Sequence, residues 1–173
     1  MDAVAEAFEP VYGMPSWSVR RGVGSFLTLE FGAPSLEIED VRELSAHVGA
    51  EFMRVPRRVA YVKGEWHLWI YMCDWSLSWR DREIAHSESE DLVIDRALGV
   101  LNGQSLTRVT AGAADGTSSF AFDLACVLST RPLQPCDDDT DEDREQWMFF
   151  QPSGRVLSLC GDGRLHSGMS DEP

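Results

Sequence analysis

Seven acidic side chains among the nine residues from Asp137 to Glu145 form the densest cluster of ionisable groups in the chain. Asp137, Asp139 and Asp141 have the spacing that opens a calcium loop. The glycine position of such a loop falls on Glu142, however, and its bidentate glutamate position on Met148, so a solvated acidic loop over 136–145 is expected, or a surface that docks a basic protein. The histidines offer no alternative chemistry. His47, His86 and His166 are scattered, and His67 lies six residues from Cys73, roughly 20 Å along an extended strand, too far to share a metal. His67 could pair only with a residue of a neighbouring strand. Glu37 and Glu39 share one strand face, where exposed acidic alternation on an edge strand is the expected role. There is no nucleophile elbow, no serine followed by lysine three residues on and no glycine-rich phosphate loop, so no catalytic residue, metal site or cofactor is assigned.

The elements that would position any site are mostly strands. The run from Glu65 to Trp79, EWHLWIYMCDWSLSW, holds four of the six tryptophans. It is apolar on both faces until Asp74, Ser76 and Ser78 turn one face polar, the pattern of a core strand running out toward solvent. Core packing is expected for Trp69 and Trp75. An alternative is a ligand pocket lined by Trp66, Trp69, Tyr71 and Trp75, while Trp79, followed by Arg80-Asp81-Arg82-Glu83, sits at the wet end as a partner contact.

Before this block, residues 1–24 contain two prolines and three glycines in their later part and read as an irregular lead-in anchored by Trp17. Strands follow at Ser25–Phe31 and around Leu36 and Ile38, separated by a break at Gly32-Ala33-Pro34. A short helix or a loop is expected from Asp40 to Val48, and Arg57 to Trp79 forms a strand pair or one long bent strand with Lys63-Gly64 as turn or bulge. One main helix is expected at about 88–102, with Ser87 and Glu90 as capping box, an apolar face of Ile94, Ala97, Leu98 and Leu101, and Asn102-Gly103 as stop. Strands resume at Leu106–Ala111 and Ser119–Ser129, then in a hairpin about Pro152-Ser153-Gly154. A polar end predicts a mobile tail over 164–173. The sum is a single domain, 1–173, of mainly β (α+β) class. Its seven to ten strands form a curved antiparallel sheet, barrel or sandwich, with the helix on a face or an end.

With 29 acidic against 15 basic side chains, the net charge of −14 opposes binding to nucleic acid or an anionic membrane and favours a basic partner. Cys73, Cys126, Cys136 and Cys160 are widely spaced and mostly in apolar runs, as reduced thiols would be. MDAVAEAFEP lacks the basic and apolar regions of a secretion signal, so a cytoplasmic location is expected.

The block GEWHLWIYMCDW from Gly64 to Trp75, with LNGQSLTRVT, FAFDL, QWMFF and the PSGRVLSL ending, resembles a group of short uncharacterised bacterial proteins, some of them immunity partners of polymorphic toxins. The resemblance lies in core and turn positions and implies a shared fold; it transfers no active site. The expected function is a non-catalytic protein-binding module, an immunity-type inhibitor of a basic toxin or effector, with Asp137, Asp138, Asp139, Asp141, Glu142, Asp143 and Trp79 as contacts. A small apolar-ligand-binding β-barrel is the alternative, and an unrecognised enzyme a third.

Overall fold

The computed structural model describes residues 3–41, 57–112, 115–133 and 144–170. Alternating apolar side chains have produced two antiparallel sheets packed face to face, in a mainly β protein. The first has the order β1 (Trp17–Arg21), β2 (Leu27–Val41), β3 (Arg57–Ile70), β9 (Glu145–Phe150), β10 (Arg155–Cys160), β11 (Leu165–Met169). The second has the order β5 (Arg82–His86), β4 (Cys73–Trp79), β8 (Cys126–Pro132), β7 (Ser118–Phe122), β6 (Leu106–Ala111). Each sheet has two different end strands, so the architecture is a sandwich and not a closed barrel.

The tryptophan block explains how the two sheets are joined. Trp66, Leu68 and Ile70 of β3 point toward the core of the first sheet, whereas Cys73, Trp75 and Leu77 of β4 point inward from the second. The chain crosses between sheets at Tyr71-Met72, and the inward-facing set changes from even to odd positions there. A strand that moves to the opposite layer must reverse the side it offers the core. The run is therefore two strands and not one, and Trp69 falls outside the core while Trp75 is within it.

Four further elements differ from the sequence-based expectation. The lead-in is structured: α1 (Ala3–Phe8) and a 3-10 turn (Glu9–Val11) bury Val4, Phe8 and Val11. Gly32-Ala33 does not end a strand but forms a bulge within β2, opposite Glu65, and Lys63-Gly64 pairs with Ser35-Pro34 as continuous strand and no turn. Ser119–Ser129 is two strands joined at Asp123-Leu124-Ala125, which leaves Leu124 exposed at the turn. The tail contributes β11, paired with β10 from Arg155↔Met169 to Leu159↔Leu165. Strands number eleven among the described residues. Asp40 and Val41 belong to β2, and the rest of the Asp40–Val48 segment lies outside the described residues. The hairpin about Pro152-Ser153-Gly154 forms as expected, with Gly154 at φ 76° and its N–H donating to the Gln151 carbonyl at 2.9 Å.

The helix, α2, spans Asp91–Leu101 and buries the expected Ile94, Ala97, Leu98 and Leu101. Its N-cap is Glu90 without a side-chain cap, and Ser87 instead bonds to Asp74 and to the Trp75 carbonyl. It lies across β1 and β5, the same-side edges of the two sheets, held to β1 by Arg21 Nη1 to Asp91 Oδ1 at 2.8 Å and by the Val19 N–H to Asn102 Oδ1 at 3.1 Å.

The β7–β8 turn places Ala125 at φ 66°, a left-handed conformation that costs a residue with a Cβ. Ala125→Gly relieves this cost and gives back part of the gain as unfolded-chain entropy. The expected outcome is a stabilisation of about 0.5 kcal/mol, read as a rise of one or two degrees in thermal unfolding.

Candidate functional site

From Ser35 to Val41 and from Arg57 to Lys63, β2 and β3 pair only with each other. β1 joins β2 no further than Glu30, and β9 joins β3 only from His67 to Ile70. The result is a two-stranded arm running past the body of the first sheet. Strand alternation divides its side chains. Leu36 pairs with Val62 and Ile38 with Ala60 on the side that continues the core face, while Glu37 pairs with Tyr61 and Glu39 with Val59 on the other. Beyond the body the apolar side has nothing beneath it among the described residues: Leu36 is 67%, Ile38 62% and Val62 47% exposed. Three large aliphatic side chains together on one exposed surface are the kind of patch that marks an interaction site.

The opposite side of the arm opens into a cleft of about 1100 Å³, lined by Glu37, Glu39, Tyr61, His67, Phe150 and Arg155 among others. At its base His67 is paired with the neighbouring strand. Its Nδ1 lies 2.8 Å from Glu30 Oε1, and its ring is tilted against Phe150. Glu30 is buried, and its other oxygen accepts the Gly64 N–H at 3.0 Å. Glu65, one residue further on, reciprocates by accepting the Ala33 N–H at 3.0 Å, so two carboxylates bracket the β2 bulge. The pair fixes the imidazole with Nδ1 engaged and leaves Nε2 for other contacts. Higher on the arm, Glu39 accepts from the Tyr61 hydroxyl and Glu37 from Ser35 Oγ, both neutral donors, while Asp40 pairs with Arg58 at 2.8 Å. Among the described residues, no group of three or more His, Cys, Asp or Glu is placed to hold a metal ion.

The expected ligand pocket does not assemble. Trp75 is buried between the sheets with its Nε1 on the Ser25 carbonyl, Trp66 stacks on Phe149 at the core margin, and Trp69 and Tyr71 pack together on the outer face near Phe26. Alternation along β3 separates Trp66 from Trp69, the change of sheet separates Trp75 from both, and with two open sheets there is no barrel interior to line. Trp79 is where the sequence places it, 40% exposed at the end of β4, with the Arg80 guanidinium 4.7 Å from its ring centroid. Asp137, Asp138, Asp139, Asp141, Glu142 and Asp143 lie outside the described residues.

Of the cysteines, Cys73 and Cys126 are buried free thiols, and Cys160 is buried at the end of β10. Burial, reinforced by the adjacent Asp74 charge, pushes Cys73 up to about 12, and burial also raises Cys126 against the opposing hydrogen bond from Gln104. At neutral pH Cys73 is thus a packed thiol and no nucleophile.

What sequence inspection missed is the Glu30–His67 pair and the exposure of Leu36, Ile38 and Val62. The first had a weak signal, a glutamate and a histidine within two otherwise apolar strands. The second had none, because an apolar residue in an alternating strand looks the same whether or not a second layer covers it. No family model, curated protein or solved structure matches the chain. The fold and site define an antiparallel β-sandwich bearing a two-stranded arm with one apolar and one acidic face. No helix among the described residues is long and apolar enough to cross a membrane.

Proposed function

We propose that this protein is a non-catalytic protein-binding module, an immunity-type inhibitor that covers a basic surface of a toxin or effector. The observation that carries this reading is the β2–β3 arm, where exposed Leu36, Ile38 and Val62 lie back to back with Glu37 and Glu39. Interfaces join an apolar centre to polar, charge-complementary surroundings, and a chain of net charge −14 selects a basic counterpart. The acidic run from Asp137 to Asp143 adds to the same long-range attraction, which speeds encounter and weakens with salt.

The test is capture from native lysate by the tagged wild type and by Leu36→Ser with Ile38→Ser, at low and high salt. A stoichiometric basic protein is expected on the wild type, released by salt, and reduced at least about tenfold on the arm variant. Because both side chains are exposed, the variant should melt with the wild type. A partner retained equally by both would remove the arm from the interface, and failure to retain any basic protein would overturn the reading.

A further inference from the structure

From Leu36 to Asp40 the outer edge of β2 has no strand partner among the described residues, and it differs in charge from the β3 side of the arm. Leu36-Glu37-Ile38-Glu39-Asp40 of β2 is acidic, whereas β3 carries Arg58 opposite Asp40 and Lys63 opposite Ser35. Exposed edges are commonly blunted by charged side chains, by proline or by a bulge. In β2 the bulge and Pro34 lie at the base of the arm, and from Leu36 to Val41 charge alone, that of Glu37, Glu39 and Asp40, guards the edge, which repels another acidic edge and admits a basic one. Resting on the protein-binding reading above, we infer that the β2 edge from Leu36 to Asp40 receives an extended segment of the partner by strand addition, and that this segment alternates apolar and basic side chains.

The alternation follows from the pleat. A strand laid against β2 sets its own side chains beside those of β2 on each face. On one face it meets Leu36 and Ile38, which favour an aliphatic neighbour. On the other it meets Glu37 and Glu39, which accept hydrogen bonds from the neutral Ser35 and Tyr61 hydroxyls, so lysine or arginine gains most there. Backbone hydrogen bonds would supply affinity, and this two-sided pattern the selectivity. A second copy of this chain suits the edge poorly. Antiparallel pairing of two β2 edges about Ile38 sets Glu37 against Glu39, like charge opposite like charge. The β3 edge suits a basic segment no better, since Arg58 and Lys63 would face it.

The probe is a capped seven-residue peptide of alternating lysine and valine, with a glutamate–valine peptide as charge control. Two further versions carry backbone N-methyl groups on alternate residues, one in each frame. Amide shifts and hydrogen exchange of the full chain are followed together with affinity. Strand addition predicts slowed exchange and shifted amides at Leu36–Asp40, and at least about tenfold weaker binding for the glutamate peptide. It also predicts a similar loss for one methylated frame and little for the other, because only one edge of the peptide is used. Glu37→Lys with Glu39→Lys should weaken the lysine peptide at least about tenfold while the melting temperature holds. Equal binding by both methylated peptides, shifts away from β2, or no binding overturns the strand-addition inference. Partner binding in general is judged separately by the capture experiment, so a partner lost from the Leu36→Ser, Ile38→Ser variant but indifferent to the Glu37→Lys, Glu39→Lys variant would preserve the first reading and sink the second.

Discussion

Gly64→Ala should destabilise the protein by about 3 kcal/mol, a fall of about 9 °C in melting temperature for a chain of this size. A Cβ at this position would lie 2.7 Å from the Phe31 carbonyl oxygen and 3.1 Å from both the Cβ and Oε2 of Glu30. The carbonyl belongs to the paired strand and cannot withdraw without disturbing the bulge. The Glu30 carboxylate cannot withdraw without releasing the Gly64 N–H and His67 Nδ1. Glu30→Ala removes the carboxylate contact but keeps the Cβ one, and by itself costs about 2–3 kcal/mol because it strands those two polar groups at a buried site. Thermal unfolding of both single variants and the double should therefore show a double-variant loss smaller than the sum, with the clash against the Phe31 carbonyl and the tight contact with the Cβ of residue 30 remaining. Strict additivity would mean that Gly64 and Glu30 are not coupled. Glu30→Gln supplies a finer readout. An amide can accept from Gly64 and donate to His67, so the imidazole should move its proton from Nδ1 to Nε2, visible in its ¹⁵N shifts.

The same site shows which parts of the molecule the sequence could disclose. Period-two alternation puts Leu27, Leu29 and Phe31 on one strand face and Phe120, Phe122, Leu124, Cys126 and Leu128 on another, and all of these are buried except Leu124, which falls on the β7–β8 turn. The apolar face of α2 and the hairpin glycine at Gly154 were equally legible, because each rests on contacts or dihedrals local to a few residues. Legibility failed wherever the answer depended on a distant strand. Trp69 and Trp75 are both tryptophans on odd positions of one apolar run, and only the change of sheet at Tyr71-Met72 separates outer face from core. His67 was seen to require a partner from another strand, yet register alone made that partner Glu30. Turns lacking glycine were missed for a different reason. Ala125 at φ 66°, and Arg80 and Asp81 at φ 49° and 63°, adopt left-handed backbone conformations with side chains that do not advertise them. Hence β5 and the division between β7 and β8 escaped notice. Leu36 and Ile38, correctly placed in a strand, became informative only when the structure showed no second layer against them.

Phe8→Ala is expected to have the largest effect of any single substitution considered, about 4 kcal/mol and about 12 °C in melting temperature. The prediction turns on residues 3–11 being part of the core and not a dispensable lead-in. Phe8 is fully buried and stacks on Phe149 with ring centroids 3.9 Å apart, and it meets Trp147 edge-on at 5.7 Å and Phe120 at 5.9 Å. Trp147 and Phe149 come from the first sheet and Phe120 from the second, so this one ring fills space between the layers. Truncation leaves a cavity bordered by aromatic rings from both sheets, which cannot close without drawing the sheets together. It also removes the edge-to-face contacts that hold Trp147 where its Nε1 donates to Ser118 Oγ at 2.9 Å across the interior. Phe8→Leu, which keeps most of the volume, should recover more than half of the loss. Glu6→Ala, on the exposed side of the same helical turn, should change stability by less than about 0.5 kcal/mol. Chemical denaturation of the three variants separates packing from helix propensity. A loss below about 1 kcal/mol for Phe8→Ala would mean that the two sheets hold together without the N-terminal plug.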